Sequence, residues 1–368
     1  MAKRNGKLVL ASEELKGKQF VCPGCEQPVI LKRGQLKIAH FAHKKNGCTA
    51  LAENESQLHL EGKLALYSIA QKYDVKTQLE THFTEIKQRA DVFLPTLKIV
   101  IEYQCSPIDQ NQLLERTHGY HKLDYQVVWV LGNSYLNQQL TSTLLNKFAR
   151  FDVNWGFYLL FWDAKMDRFV LLADIVEAAG KFHYQKSLHK SYQELLKFKD
   201  QCQFNQPLVT VSQQLKYLDS VAAQIQAQRS QMVYMVTQCY QFGKNLPACP
   251  IICHSKEAEF PLFGRQTLFW RVLILLKIFN RETTKITKDE LNQIFKETVS
   301  IFGNVFIQVP NFQRFYQLAF LQYFQELQNA GYLKQTYDTV VITRQPEWFL
   351  DLERKKIFWL EQSRRDDK

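Results

Sequence analysis

The chain has 368 residues, 46% of them hydrophobic, with 47 Lys and Arg against 36 Asp and Glu. That allows two or three domains with a sizeable core, while the longest apolar runs, such as Val127–Leu131 and Phe157–Trp162, fall far short of the ~20 residues of a membrane helix. Eight cysteines are spread too thinly for a disulfide framework and no apolar leader follows Met1, so a soluble protein of the reducing cytoplasm is expected.

Residues 1–50 read as a first domain of short strands and turns with little core of its own. They hold ten Lys and Arg against three acidic residues, whereas residues 51–160 hold ten against twelve. Positive charge gathered at one end suits a phosphate-binding surface, because each neutralised phosphate releases counterions. A basic face that serves only solubility is the plain alternative. Within this segment Cys22, Cys25, His40 and His43 follow the spacing C-x2-C-x14-H-x2-H. Thiolate and imidazole are the ligands of tetrahedral Zn2+, Pro23-Gly24 permits the tight turn between the cysteines, and such a site supplies folding energy that a small core lacks. Cys48 is a substitute ligand, and the two histidines are closer together than in a zinc finger, so a vacated or unmetallated hairpin stays open. Lys32, Arg33, Lys37, Lys44 and Lys45 surround this zinc-ribbon-like knuckle as candidate DNA contacts.

The pattern then changes. Leu58, Leu60, Leu64, Leu66 and Ile69 predict a helix over Glu53–Lys72. Three strands follow, Val75–Phe83, Ile86–Leu94 and Leu97–Gln104, with links short enough for hairpins. Ser106-Pro107 predicts a helix start with Ser106 as N-cap, running to about Lys122, before a strand over Tyr125–Leu131. The last three elements form a crossover between parallel neighbours, right-handed by the general rule. The order αβββαβ is that of a restriction-endonuclease-like core, expected within residues 51–175 of an α/β protein. Trp155–Trp162 and Arg168–Leu172 read as two further strands. Past Ala178 the chain turns polar and Gln-rich, and residues 176–368 are expected to be mainly helical, with runs at Tyr192–Cys202, Gln213–Gly243, Thr267–Phe279, Thr287–Phe302 and Asn311–Ala330.

Candidate chemistry gathers on the middle segment. Asp91 lies near the end of the second strand, and Glu102 and Gln104 at the end of the third, on one face because they are two apart. Carboxylates so placed hold Mg2+ or Mn2+, which activates water and neutralises a scissile phosphate. Glu55, His59 and Lys63 form one stripe of the preceding helix, and Arg116 and Tyr120 are four apart on the following one. Together they read as D-x10-E-x-Q, a variant of the nuclease pattern D…(D/E)-x-K. Gln104 replaces the lysine and can only hydrogen-bond; Lys63, or Lys87 and Arg89, could restore the missing charge. Glu80 stands open between a further site carboxylate and a plain strand residue. Singly, each of these residues has an ordinary structural explanation; their joint order is the argument.

Cys22-Pro-Gly-Cys25, Gly34…His40-Phe-Ala-His43, Glu55-Ser-x-x-His59, Arg89-Ala-Asp91-Val92, Ile101-Glu102-Tyr-Gln104-Cys-Ser106, Arg116…Tyr120 and Trp129-Val-Leu131-Gly132 resemble, as a series, the CoiA competence proteins of transformable Gram-positive bacteria. The resemblance is dense over residues 1–135. It implies a nuclease domain that processes incoming DNA or recombination intermediates, alongside the recombinase RecA. Carried over by position, it implies a nuclease core of Asp91, Glu102 and Gln104, a helix contribution of Glu55, His59 and Lys63, and support from Arg116 and Tyr120.

In the C-terminal half, Cys249-Pro-Ile-Ile-Cys253-His254 reads as a structured loop rather than a second metal site, having no partner ligand pair. Aromatics interleaved with basic residues over Asn311–Tyr323 and near Trp348, Phe358 and Trp359 read as core in preference to a base-stacking surface. Two functions follow: a metal-dependent nuclease acting on single-stranded or branched DNA, or a non-cleaving DNA-binding accessory to the recombinase.

Overall fold

The structure is a computed structural model that describes residues 2–5, 7–9, 11, 18–22, 26–32, 40–43, 57–203 and 208–366. By compactness the chain divides into two units. One comprises residues 1–138, 160–170 and 188–196, the other residues 139–159, 171–187 and 197–368.

The chain opens with β1 (Ala2–Arg4), β2 (Lys7–Val9), β3 (Phe20–Val21), β4 (Pro28–Lys32) and β5 (His40–His43), an antiparallel sheet in the order β2-β1-β3-β4-β5. Among the described residues its buried core is Ala2, Phe20, Cys22, Val29 and Phe41, with Val9, Ala11 and Leu31 packed against it.

The αβββαβ order follows as expected: α1 (Gln57–Ala70), β6 (Gln78–Phe83), β7 (Gln88–Leu94), β8 (Ile99–Gln104), α2 (Gln110–Lys122) and β9 (Gln126–Leu131). β6, β7 and β8 pair antiparallel through turns that place Lys87 and Lys98 at φ 51° and 56°, the left-handed step of a tight hairpin. β8 and β9 then run parallel from Ile99↔Gln126 to Gln104↔Leu131, with α2 as the crossover. β6 starts later than predicted because Asp74 forms a turn, accepting from the N–H of Lys76 and from both the N–H and the hydroxyl of Thr96. The cap of α2 is likewise Asp109, not Ser106: its carboxylate accepts the Gln112 N–H at 2.9 Å.

Next come α3 (Asn133–Leu136), α4 (Ser142–Phe148), β10 (Arg150–Asp152), β11 (Gly156–Asp163), β12 (Arg168–Ala178) and β13 (Lys181–His189). The mixed eight-stranded sheet has the order β13-β12-β11-β9-β8-β7-β6, with β10 against β11. The expected helical turn-over past Ala178 is corrected here. Ala179 and Gly180 both take positive φ, 47° and 71°, which returns the chain as a strand. β13 is largely exposed and polar, so it lacks the apolar alternation by which strands are read.

The remainder is mainly helical: α5 (Tyr192–Gln201), α6 (Val211–Gln226), α7 (Ser230–Tyr240), α8 (Thr267–Phe279), β14 (Lys285–Thr287), α9 (Lys288–Phe302), α10 (Gln313–Asn329), β15 (Leu333–Gln335), β16 (Thr339–Ile342) and α11 (Leu352–Asp366). The run expected over Gln213–Gly243 is two helices, broken where Gln228 takes φ 50°. α8 matches its predicted bounds and is buried on nearly every side, as its unbroken apolar run requires. Tyr316, Phe320, Tyr323 and Phe324 of α10 are buried, so this aromatic series is packing.

Candidate active site

The β6–β7 register pairs Leu79 with Val92 and Thr81 with Ala90, which sets Glu80 across from Asp91. The β7–β8 register pairs Val92 with Ile101, and one step further sets Asp91 across from Glu102. Three carboxylates therefore lie in one row over three adjacent strands, where cross-strand side chains share a face. Glu80 takes φ 55°, a left-handed step inside a strand that costs energy for a residue with a Cβ. All three are buried, with 7%, 8% and 2% exposure.

Such a row repels itself unless cations enter it. Lys63, fully buried on α1, donates to Glu80 and lies 3.1 Å from Asp91 Oδ1. Gly62 makes this reach possible: a Cβ there would lie 2.3 Å from Tyr103 Cε1, so only glycine lets α1 come this close to β8. Arg89 Nε is 2.8 Å from Glu80 Oε2, and Arg116 donates to Glu102 Oε2 at 2.6 Å and to the Arg89 carbonyl at 3.2 Å. Tyr120 donates its hydroxyl to Glu102 Oε1, and the Tyr103 N–H donates to Asp91 Oδ2 at 2.9 Å. His59, one turn before Lys63, packs its ring on Tyr103 at 5.6 Å between centroids. Arg89 and Arg116 keep 19% and 27% side-chain exposure, so the cluster meets solvent through its guanidinium groups.

The two central carboxylates are driven apart. Burial pushes Asp91 up, but Lys63, His59, the Tyr103 N–H and Arg116 outweigh it and hold its carboxyl below the usual range. Burial dominates at Glu102 and, helped by Asp91, raises it to about 7 against the pull of Arg116 and Tyr120. Arg116 is raised by Glu102, and Tyr120 by burial and then by Glu102. A carboxylate held ionised beside one poised near neutrality is an acid–base asymmetry of the kind enzymes use.

The structure thus brings together Asp91, Glu102, His59, Lys63, Arg89, Arg116 and Tyr120, and adds Glu80. Gln104 stands apart, its amide donating to the Ser106 carbonyl at 2.6 Å. Lys87 is exposed on the β6–β7 turn. Glu55 lies outside the described residues, as do Cys25, Arg33, Lys37, Lys44 and Lys45. Of the expected zinc ligands, Cys22 is fully buried and closes a turn with Gln27, its N–H donating to the Gln27 carbonyl at 2.8 Å. His43 faces Val29 across β4 and β5, where the register also pairs His40 with Lys32, an exposed residue. The Tyr103 N–H is a site member that no side-chain pattern could announce; the position after Glu102 on a strand facing Asp91 was its one signal.

The nuclease-like domain of the competence protein CoiA, as a family model, matches residues 55–206, and the N-terminal domain of the same protein matches residues 8–51. The competence protein CoiA of Bacillus subtilis (strain 168) is 34% identical over 134 residues, which is 36% of this chain and 36% of that protein. The similarity therefore spans about a third of the relative's length. No solved structure matches.

Proposed function

The chain belongs to the CoiA competence-protein family, and from that premise we propose that its nuclease-like domain is a restriction-endonuclease-like phosphodiesterase acting on single-stranded or branched DNA during transformation. The observation that carries this reading is the row Glu80–Asp91–Glu102 with Lys63 buried inside it.

The donor set fits a hard divalent cation. Among the described residues no three His, Cys, Asp or Glu side chains gather as a metal cluster, but Mg2+ is commonly held by one or two carboxylates with waters and substrate phosphate. Asp91 and Glu102 would hold Mg2+ or Mn2+, which when bound supplies an activated water and neutralises the phosphate. The chain's own residues do the rest. Lys63 provides the full positive charge that Gln104 lacks, from a different element and at 3.1 Å from Asp91. Arg116 and Tyr120 fix both oxygens of Glu102, and the partly exposed Arg89 and Arg116 are placed to meet a phosphate backbone. In the N-terminal sheet, Zn2+ on Cys22, Cys25, His40 and His43 would brace a domain whose described residues bury only a small apolar cluster. The basic residues around it, Lys32 among them, would grip DNA.

A second reading has its own support. Each carboxylate oxygen of Asp91 and Glu102 already accepts a hydrogen bond or ion pair from the protein, and Gln104 is engaged with Ser106. A row so fully neutralised suits a DNA-binding accessory that assists RecA without cutting. Incubation of the full chain with single-stranded, duplex and branched DNA separates the two. Cleavage that needs Mg2+ or Mn2+ and vanishes in the Asp91→Ala/Glu102→Ala variant establishes the nuclease. Binding without cleavage, unchanged in that variant, establishes the accessory.

A further inference from the structure

At the Cys249–His254 loop the second unit buries a lysine that meets no carboxylate among the described residues. Lys355 of α11 is fully buried, and among the described residues it makes no ion pair with Asp or Glu. Its three ammonium protons have three acceptors: the Pro247 carbonyl at 3.3 Å, Cys249 Sγ at 3.3 Å and His254 Nε2 at 2.9 Å. His254 Nδ1 lies 3.1 Å from Gln214 Oε1, which makes Nδ1 the protonated nitrogen and leaves Nε2 free to accept. A buried ammonium requires a nearby anion, and the one acidic group it touches is the Cys249 thiol. Cys253 follows four residues on across a short 3-10 turn, and Tyr323 Oη stands 4.0 Å from Cys253 Sγ.

We propose that Cys249 and Cys253 are a dithiol poised for reversible oxidation to a disulfide by a hydroperoxide, with Lys355 as the counter-ion that keeps Cys249 a thiolate. Burial alone would raise the Cys249 thiol, yet Cys253, Lys355 and His254 together hold it well below its ordinary value. Burial and Lys355 lower His254 to about 4, so it is a neutral acceptor. Cys249 and Cys253 span a single 3-10 turn, and a disulfide closes once their Cβ atoms come within about 4.5 Å. Cys253 and His254, both neighbours of Cys249 in this cluster, line with Gln214 and Tyr217 a cavity of about 20 Å³, room for one water-sized molecule, and hydrogen peroxide is little larger.

The reaction balances without further partners. The Cys249 thiolate attacks one peroxide oxygen, the O–O bond breaks, and the alcohol or water leaves after taking a proton from Lys355. The Cys249 sulfenic acid is then displaced by Cys253: the S–S bond forms, the S–O bond breaks, and the departing hydroxide takes the Cys253 proton as water. The two sulfurs lose two electrons and the hydroperoxide gains them. Lys355 ends as a neutral amine, so no uncompensated charge stays buried.

Residues 245–256 form one tryptic peptide carrying both cysteines. The full native chain is treated with hydrogen peroxide, unfolded, alkylated, digested and weighed. The expected product is this peptide lighter by two hydrogens and unalkylated, restored by dithiothreitol. It should form at least ~10-fold faster than any oxidation of Cys239, a buried thiol that burial pushes up to about 12. In Cys253→Ser the reaction stops at a Cys249 sulfenic acid that dimedone traps, and Lys355→Met slows Cys249 by about tenfold because its thiolate loses the counter-ion. Should either variant fail to fold, the wild-type contrast with Cys239 still decides. Two free thiols in the peptide, or a Cys249 rate no greater than that of Cys239, would overturn the proposal.

Discussion

Two buried charge clusters, one in each unit, obey the same electrostatics with different results. In the first unit Glu80, Asp91 and Glu102 are met by Lys63, Arg89 and Arg116, three charges against three, and all three carboxylates are less than 10% exposed. In the second, Arg271 of α8 is 1% exposed and is met by Glu259 and Glu326, with the Tyr323 ring 4.4 Å away. The Glu326 side chain keeps 31% exposure and can turn to water. A single guanidinium with a carboxylate reaching solvent is enough to anchor a helix. A closed row of three acids is more than anchoring requires, and one of them is held near neutrality. Excess of this kind, carried on three adjacent strands, is more than a structural ion pair needs and supports the proposed reading of the row as a chemical site.

Removing the cation at the centre of each cluster tests that difference most strongly. Lys63→Met leaves Glu80 and Asp91 face to face with no charge between them, and is expected to destabilise the first unit by ~3–5 kcal/mol. Arg271→Met leaves Glu259 and Glu326, of which Glu326 can rehydrate, so its cost should be smaller, ~2–3 kcal/mol. Urea denaturation of both variants, followed by fluorescence and circular dichroism, checks the order. An equal or reversed order would make the first cluster an ordinary ion-pair anchor. Adding Glu80→Gln to Lys63→Met should recover part of the loss, since the second change removes the charge that the first exposed.

That prediction rests on features the sequence displays unevenly. The αβββαβ order is legible because β6–β9 are apolar runs punctuated by short turns, and Asp91 and Glu102 are legible because each interrupts such a run. Glu102 follows Ile99–Ile101, whereas Asp91 stands at the middle of β7, before Val92–Leu94, and not near the strand end where the sequence puts it. The stripe His59–Lys63 on α1 announces a shared direction, though not that Gly62 brings it against Tyr103. The place of Glu80 becomes visible only with the register, since an acidic residue in a strand carries no meaning until its cross-strand neighbour is known. β13 reads as helix because its side chains face solvent, and β14–β16 are three to four residues long, too short for any period. Lys355 and Cys249 are 106 residues apart, and nothing local to either foretells the contact.

A smaller effect comes from pH, and both units contribute. Glu102 and Glu177 are each raised from 4.5 to about 7, burial being the main cause in both. Between those values the folded chain keeps protons that the unfolded chain has released. Stability therefore falls as pH rises through this window and levels above about 7. Each group accounts for at most about 1.4 kcal/mol per pH unit. Asp91 acts in the opposite sense and lower: its stabilisation is present above the ordinary Asp value and is lost only as pH falls through its depressed one. Denaturation midpoints should thus decline between about pH 5 and about pH 7, and Glu102→Gln and Glu177→Gln should each flatten part of the slope. If Glu102→Gln leaves the slope unchanged, Glu102 is ionised throughout and the acid–base asymmetry at the site is absent.

Gln104 should give the smallest effect, and that smallness carries information. It occupies the position where the nuclease pattern has lysine, yet its amide serves the Ser106 carbonyl while Lys63 stands 3.1 Å from Asp91. A partly exposed hydrogen bond of this sort contributes about 0.5–1 kcal/mol, so Gln104→Ala should move the denaturation midpoint little and reduce cleavage far less than Lys63→Met does. Gln104→Lys should bring no gain, because a second ammonium beside the row would add a charge that the three existing cations already supply. Were Gln104→Lys to raise cleavage severalfold, the charge would be missing at the strand end after all, and Lys63 would belong to the packing of α1 and not to the reaction.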